Sequence, residues 1–180
     1  TIPVEGVDYK AHMKEKFGSD AGKDRANTMR QALIDYGQAE GIPYQFDRIT
    51  RRPNSFNAHR LVRWAQGQQK GSEAKEALFK AYFQDGRDIG ETDVLVDIAR
   101  EIDLDPAIVA ELMPTDADVE NVRNEEALFQ QMGISGVPTY IANRQVAVQG
   151  AETAEKLAKF LRDAAARLPE ERPTGRDSAE

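Results

Sequence analysis

The strongest constraint on the fold is a change of periodicity close to residue 133. Before this point apolar residues recur at helical spacing, whereas residues 139–142 and 146–149 are short and rich in β-forming side chains. The junction reads Gly-Ile-Ser-Gly-Val-Pro over residues 133–138, so a strand begins directly after a proline. Proline lacks an N–H and suits the first residue of a strand, or a position where the backbone faces a ligand. Residues 133–168 are therefore predicted to form a loop, two antiparallel strands and a terminal amphipathic helix.

The first 132 residues predict a series of amphipathic helices. Tyr9, Met13 and Phe17 form an apolar stripe that ends at Gly18. Further stripes span residues 26–36, 58–65, 74–82, 95–102, 109–112 and 119–132. Asn54 and Asp105 are the predicted N-caps of two of these helices, and Pro106 follows at the first helical position. Residues 44–49 are predicted to be extended, and residues 169–180 to form a polar tail.

The absence of certain residue types excludes several functions. Cysteine is missing from all 180 residues, which rules out a disulfide or a thiolate metal site within this chain. The histidines His12 and His59 lie far apart and form no metal-binding motif. A net charge of −7 argues against broad nucleic-acid binding, and no apolar run reaches the roughly 18 residues of a transmembrane helix. Residues 1–6 have the composition of a loop interior, so we expect the natural start to lie upstream.

Three stretches of the chain carry a family resemblance. The order of loop, Val137-Pro138, hairpin and helix resembles the C-terminal ββα half of the thioredoxin fold with its cis-proline loop. Residues 52–61, Arg-Pro-Asn-Ser-Phe-Asn-Ala-His-Arg-Leu, resemble the Pro-Asn-(Ser/Thr)-x-x-Ala-His-Arg stretch of FrnE-like proteins of the DsbA family. Residues 78–83 and 88–90 are similar to that family's Leu-Phe-x-Ala-Tyr-Phe and Asp-Ile-Gly stretches. The resemblance extends from about Pro3 to about Arg162.

The resemblance implies the fold and its domains. It implies an α/β, thioredoxin-like fold with a large all-helical insertion domain. Residues 1–8 would be a linker, residues 9–132 the helical insertion domain, residues 133–168 the ββα half, and residues 169–180 the tail. FrnE-like proteins open with a strand, a helix that begins at Cys-x-x-Cys and a second strand, and this N-terminal part is missing from the sequence. The resemblance also implies a cis Val137-Pro138 bond, although an isolated X-Pro bond is cis in only about 5–6% of cases.

The resemblance further implies a thiol–disulfide oxidoreductase or isomerase that acts on protein or small-molecule disulfides. The redox cysteines would lie outside this chain, so the chain alone is expected to be inactive. Val137 and Pro138 are expected to bind the substrate backbone, with Asn54 and His59 beside it. Partners would be thiols and disulfides, without nucleic acid or membrane. A homodimer is compatible with the sequence, no cofactor is expected beyond glutathione as a co-substrate, and FrnE-like proteins are generally cytoplasmic.

Two other functions remain open on the same fold. The first is a glutathione-dependent isomerase or transferase, similar to 2-hydroxychromene-2-carboxylate isomerases and kappa-class transferases, which commonly carry serine at the active-site position. The second is a redox-inactive binding module. The Pro-Asn…Ala-His-Arg stretch favours the oxidoreductase, and the residues at the missing helix N-terminus would decide among the three.

Several candidate residues also have structural interpretations. His59 is interpreted as a boundary histidine bonded to backbone, and His12 as solvated surface. Trp64 and the Tyr82-Phe83 pair are interpreted as packing residues. The basic cluster is either a solvated face or a cationic rim that lowers a thiol pKa or holds an acidic ligand such as glutathione. It consists of Arg48, Arg51, Arg52, Arg60 and Arg63.

Overall fold

The structure is a computed structural model that describes residues 2–143 and 145–167. The chain packs as two compact units, residues 1–124 and residues 125–180, and the domain boundaries inferred from the resemblance stay a prediction. The predicted tail at 169–180, the end of the last segment at Leu168 and the turn residue Arg144 lie outside the described residues. No helix in the described ranges is long and apolar enough to cross a membrane.

In the part of the chain that the structure describes, ten elements precede the change of periodicity and three follow it. The earlier elements are β1 (Val7–Asp8), α1 (Tyr9–Phe17), α2 (Asp20–Ala39), a 3-10 turn (Phe46–Arg48), β2 (Arg51–Arg52), α3 (Phe56–Gly67), α4 (Gly71–Phe83), α5 (Thr92–Glu101), α6 (Pro106–Leu112) and α7 (Val119–Gln131). The later elements are β3 (Thr139–Ala142), β4 (Val146–Gln149) and α8 (Ala154–Ala165). The sequence-based order of helices, hairpin and terminal helix is confirmed at the level of elements.

The core of the first unit lies among α3, α4, α5 and α6. Leu61, Leu95 and Ile98 are completely buried there, and each such side chain contributes about 1.5–3 kcal/mol by leaving water. The other buried members are Ala58, Ala65, Ala74, Leu78, Ala81, Ala99, Ile102, Leu104, Val109 and Met113. Apart from Leu104 and Met113, which lie outside the helices, these residues lie on the apolar stripes that the sequence predicts, so periodicity locates most of this core.

The two predicted N-caps have different outcomes. Asp105 accepts hydrogen bonds from the N–H groups of Ala107 and Ile108 at 2.9 and 3.4 Å, and α6 begins at Pro106 as predicted. Helix α3 begins at Phe56 with Ser55 in the N-cap position, so the prediction for Asn54 is wrong by one residue. The Asn54 carboxamide oxygen still accepts from the Phe56 N–H at 2.9 Å.

The predicted extended segment at 44–49 is instead bent by the 3-10 turn. The bend lets the rings of Tyr44 and Phe46 stack at a centroid distance of 5.3 Å and lets both rings pack edge-to-face with Phe83. It also buries Ile49 to 3% exposure. Aromatic packing against α4 therefore overrides the extended conformation that the local sequence favours.

The later elements match the predicted hairpin and helix. Strands β3 and β4 pair antiparallel, with Thr139 opposite Gln149 and Ala142 opposite Val146. Thr153 caps α8, since its hydroxyl accepts a hydrogen bond from the Lys156 N–H. The Val137–Pro138 peptide bond, which precedes β3, is cis.

Candidate functional site: an exposed loop, an arginine network and an aromatic cleft

Val137 is the exposed centre of the loop that leads into β3. The Gly136 carbonyl accepts a hydrogen bond from the Thr139 hydroxyl at 2.7 Å, and the Pro138 carbonyl accepts one from the Gly150 N–H at 2.8 Å. Val137 itself is 91% exposed, and within the described residues its N–H and C=O have no hydrogen-bond partner. One residue of this loop thus presents a free backbone donor and a free acceptor.

Asn54 and His59 lie in the first unit, whereas Val137 and Pro138 lie in the second. Besides its bond to Phe56, the Asn54 carboxamide donates to the Ile2 carbonyl at 2.8 Å, so it ties the residues before β1 to the start of α3. His59 is exposed on α3, and its backbone N–H donates to the Ser55 carbonyl at 3.0 Å.

Arg60, the residue after His59, is buried to 2% exposure and uses all five of its N–H donors. Its guanidinium also stands 5.1 Å from the centre of the Trp64 ring. Four of its acceptors are the backbone carbonyls of Leu112, Met113, Thr115 and Ala117, at 2.8–3.0 Å, and the fifth is the Asn57 side chain. Arg60 therefore caps the C-terminal end of α6 and holds the following loop.

Burial and nearby charge shift the pKa of the Arg60 guanidinium in opposite directions. Loss of solvent lowers the pKa of its guanidinium, while the carboxylates of Asp118 and Asp116 raise it. The helix C-terminus, which carries partial negative charge, also favours the cation. The buried charge is therefore neutralised by carbonyl oxygens and by acidic side chains at longer range.

Asp118 joins α3 to the start of α7. Its carboxylate accepts hydrogen bonds from Arg63 Nε at 2.8 Å, Trp64 Nε1 at 2.9 Å and Asn121 Nδ2 at 2.7 Å. The bonds from Asn121, Arg63 and Trp64, in that order, lower the pKa of Asp118. Its backbone has a φ of 59°, which Asn and Asp tolerate better than most residues.

We expect Asp118→Asn to lower stability at pH 7, because asparagine keeps the backbone conformation but loses the charge. The folded state lowers the pKa of Asp118, so the stabilisation is complete above the unfolded value of about 3.9 and is lost as pH falls through the folded value. Urea unfolding from pH 7 to pH 3 should show the difference from wild type shrinking below about pH 4.

Asp103→Asn is the matched control for this prediction. Asp103 also has a positive φ, 54°, but its side chain is 94% exposed and its ion pair with Lys70 is long, at 3.7 Å. Asp103→Asn should lower the free energy of unfolding at pH 7 by less than Asp118→Asn does. A difference for Asp118→Asn that stays constant down to pH 3 would contradict the role given to its charge.

A cleft of about 390 Å3 opens in the first unit beside α1, the end of α4 and the segment from the 3-10 turn to the start of α3. Its lining is Tyr9, Met13, Phe46, Ile49, Arg52, Pro53, Ser55, Phe79, Tyr82, Phe83 and Ile89. Burial, with the neighbouring Tyr9, raises the pKa of Tyr82 to about 12, so this phenol stays protonated at neutral pH. Its hydroxyl donates to the Arg51 carbonyl at 3.4 Å.

Residues 4–162 match the sequence profile of the DSBA-like thioredoxin domain. The chain belongs to this family. The match covers the helices, the Val137 loop, the hairpin and most of α8. It confirms the predicted fold class, a DsbA-like thioredoxin fold that is mostly helical, and it places the chain in a family of thiol–disulfide oxidoreductase type.

Two similar proteins support the assignment of this DsbA-like chain. A solved structure described as a probable DsbA oxidoreductase from Streptomyces coelicolor is similar with a TM-score of 0.82 and 25% sequence identity, over 92% of this chain and 70% of that chain. The uncharacterized protein YwbO of Bacillus subtilis is 28% identical over 125 residues, which are 68% of this chain and 62% of that protein. The DsbA-like chain thus spans less than two thirds of this curated relative.

Three of the five arginines in the basic cluster of the DsbA-like chain fit neither a solvated face nor a free cationic rim, because they are buried or paired. Arg60 is buried, Arg63 pairs with Asp118, and Arg51 pairs with Asp88 at 3.3 Å and also contacts the Glu5 carbonyl. The sequence does not identify Arg60 as a buried residue, although its position between Ala58 and Leu61 on the apolar stripe is a usable signal. Within the described ranges, no group of acidic or histidine side chains could hold a metal ion.

Proposed function

We propose that this chain is the substrate-positioning part of a DsbA-type thiol–disulfide oxidoreductase of the FrnE-like subgroup, whose redox cysteines belong to a segment outside the 180 residues. A thiolate of that segment attacks a protein or small-molecule disulfide, and the Val137 loop holds the backbone next to the disulfide. A mixed disulfide forms as the second substrate sulfur leaves as a thiol, and a resolving thiol then releases the reduced substrate.

The observation that carries this proposal is the free backbone of Val137. An extended polypeptide that pairs with an exposed strand edge gains affinity from main-chain hydrogen bonds, whatever its side chains. In the described part of the chain β3 pairs only with β4, and Val137 lies just before this hairpin, where its unpaired N–H and C=O can meet an extended segment. Such pairing suits an enzyme that must accept disulfides in many sequence contexts.

The remaining assignments follow from the family resemblance. We propose that Pro138 contacts the same substrate segment, and that Asn54 and His59 contribute to the substrate surface of the complete protein. We propose thiols and disulfides, including glutathione as a co-substrate, as the partners, and the cytoplasm as the compartment. The match covers 70% of the Streptomyces chain and 62% of the Bacillus protein, so each of these proteins has further residues that could include a cysteine-bearing segment.

Backbone pairing can be tested without any cysteine. We expect the 180-residue chain to bind an extended, fluorescein-labelled hexapeptide, as measured by fluorescence polarisation. A scan of single N-methyl groups along the peptide should reveal one or two positions where affinity falls about tenfold, because methylation removes a main-chain donor. Methylation at the alternate positions, where the N–H points away from the loop, is the matched control. A flat scan would contradict pairing through the peptide backbone.

A further inference from the structure

The aromatic cleft of the first unit has the composition of a small-molecule site. Ligand pockets typically enclose about 300–1,000 Å3 and combine an apolar lining with a few polar groups, and this cleft of about 390 Å3 fits that description. Two of its lining residues, Phe46 and Ile49, are buried, at 9% and 3% exposure. Phe79, at 63% exposure, stands at its mouth.

Rings pack against one another along one wall of the cleft. The centroids of Tyr82 and Phe83 are 4.9 Å apart with edge-to-face geometry, and Phe79 and Phe83 are 6.2 Å apart. Phe46 meets Phe83 at 6.2 Å. Because Tyr82 and Phe46 each already contact Phe83, a flat apolar ligand can pack against a preformed group of rings.

Arg52 supplies an uncompensated positive charge to the same cleft. Its neighbour Arg51 pairs with Asp88 at 3.3 Å, and Arg30 pairs with Asp47 at 2.5 Å. No carboxylate of residues 2–143 or 145–167 lies within 4.0 Å of the Arg52 guanidinium, although the chain carries a net charge of −7. An arginine beside an apolar surface favours a planar anion that can accept two hydrogen bonds.

The backbone of Arg52 is fixed in place. Arg52 pairs with Val7 across the β1–β2 ladder. Gly6 has a φ of +70°, and a side chain there would place its first carbon 2.8 Å from the Arg52 carbonyl oxygen. The close approach of this turn to β2 thus requires glycine, and it holds Arg52 beside the cleft.

We propose that this cleft binds a small organic monoanion, a carboxylate or sulfonate with an aromatic or branched apolar body. The anionic head accepts hydrogen bonds from the Arg52 guanidinium, and the apolar body packs against Phe79, Tyr82 and Phe83. Glutathione, with two carboxylates, an ammonium group and two amides, would leave polar groups against an apolar wall and is disfavoured. The proposal does not depend on thiol chemistry.

A comparison of two ligands tests the charge requirement in the wild-type chain. The fluorescent probe 1-anilinonaphthalene-8-sulfonate is displaced at pH 7.5 by 4-phenylbutyrate or by the neutral 4-phenyl-1-butanol. The ratio of their half-displacement concentrations does not depend on the affinity of the probe. We expect the acid to displace at about tenfold lower concentration, because it alone forms a charge-assisted hydrogen bond with arginine.

Two variants of lining residues and one control variant locate the site. Arg52→Gln should make the acid and the alcohol equally effective, whereas Arg48→Gln should keep the tenfold preference. Arg48 is the matched control because its side chain is exposed, contacts the Gln84 carbonyl at 3.5 Å and does not line the cleft. Phe79→Ala should weaken both ligands severalfold and leave the preference unchanged, since it removes only apolar surface.

Four results would overturn the proposal. The first is equal displacement of the probe by acid and alcohol in the wild-type chain, and the second is an unchanged preference for the acid in Arg52→Gln. The third is displacement of the probe by glutathione at the same concentration as by 4-phenylbutyrate. The fourth is probe binding per chain that falls as the chain is concentrated. The last result would indicate that a second copy of the chain fills the cleft. Even if a variant fails to fold, the comparison of acid and alcohol in the wild-type chain still tests whether the cleft prefers an anion.

Discussion

Replacement of Arg60 by methionine is expected to lower the free energy of unfolding by about 3–5 kcal/mol, because it removes a buried cation that completes a hydrogen-bonded network. Methionine fills a similar volume but leaves the carbonyls of Leu112, Met113, Thr115 and Ala117 without their donor. A domain is stable by only about 5–15 kcal/mol, so the loss is a large share of the total. Urea unfolding followed by circular dichroism measures it.

Arg60→Lys separates charge from hydrogen-bond geometry. An ammonium group keeps the charge but offers three donors instead of five, so we expect about 2–3 kcal/mol of destabilisation. Arg100→Met is the control for loss of a helix arginine, because Arg100 is 62% exposed and, among the described residues, pairs only with Asp97 three residues away. It should cost less than about 1 kcal/mol. If Arg60→Met costs no more than this control, the five-donor cap does not stabilise the fold.

Disulfide exchange is expected to require a cysteine pair from outside this chain. The 180-residue chain has no thiol, so it should reduce insulin in the presence of dithiothreitol no faster than buffer does. Joining it to a strand, a helix that begins at Cys-x-x-Cys and a second strand should restore reduction. A helix N-terminus lowers the pKa of the attacking thiol and the second cysteine resolves the mixed disulfide. Serine at both cysteine positions is the control and should return the rate to background.

The sequence predicts the helices and the hairpin because their signals are local. Asp105-Pro106 marks the start of α6 whatever packs around it, and the apolar stripes of α3 and α5 bury the residues that their spacing selects. The burial of Arg60 depends instead on the end of α6, more than fifty residues later. The carbonyls of Leu112 and Met113 accept hydrogen bonds from its guanidinium there. The position of Arg60 between Ala58 and Leu61 signals burial, but nothing local shows which groups accept its hydrogen bonds.

Periodicity identifies an apolar stripe on a helix, but it does not show whether another element covers that stripe. Met29, Leu33 and Tyr36 lie on one apolar stripe of α2, as the sequence indicates, but they are 54%, 48% and 74% exposed. The cleft is likewise invisible to sequence analysis, since the segments before and after the 3-10 turn converge with α4 only through tertiary packing. The Val137 loop, in contrast, is predictable, because glycine, proline and the onset of β-forming residues follow one another directly in the sequence.

The most direct test of the substrate-positioning role is the rate of insulin reduction by the joined protein with Val137 changed in two ways. Val137→Pro removes the backbone N–H, whereas Val137→Ala keeps it and shortens a side chain that is 91% exposed. If the loop pairs with the substrate backbone, kcat/KM should fall about tenfold for the proline variant and less than about twofold for the alanine variant. Equal values of kcat/KM for the two variants and the parent protein would contradict the claim that this chain positions the disulfide substrate.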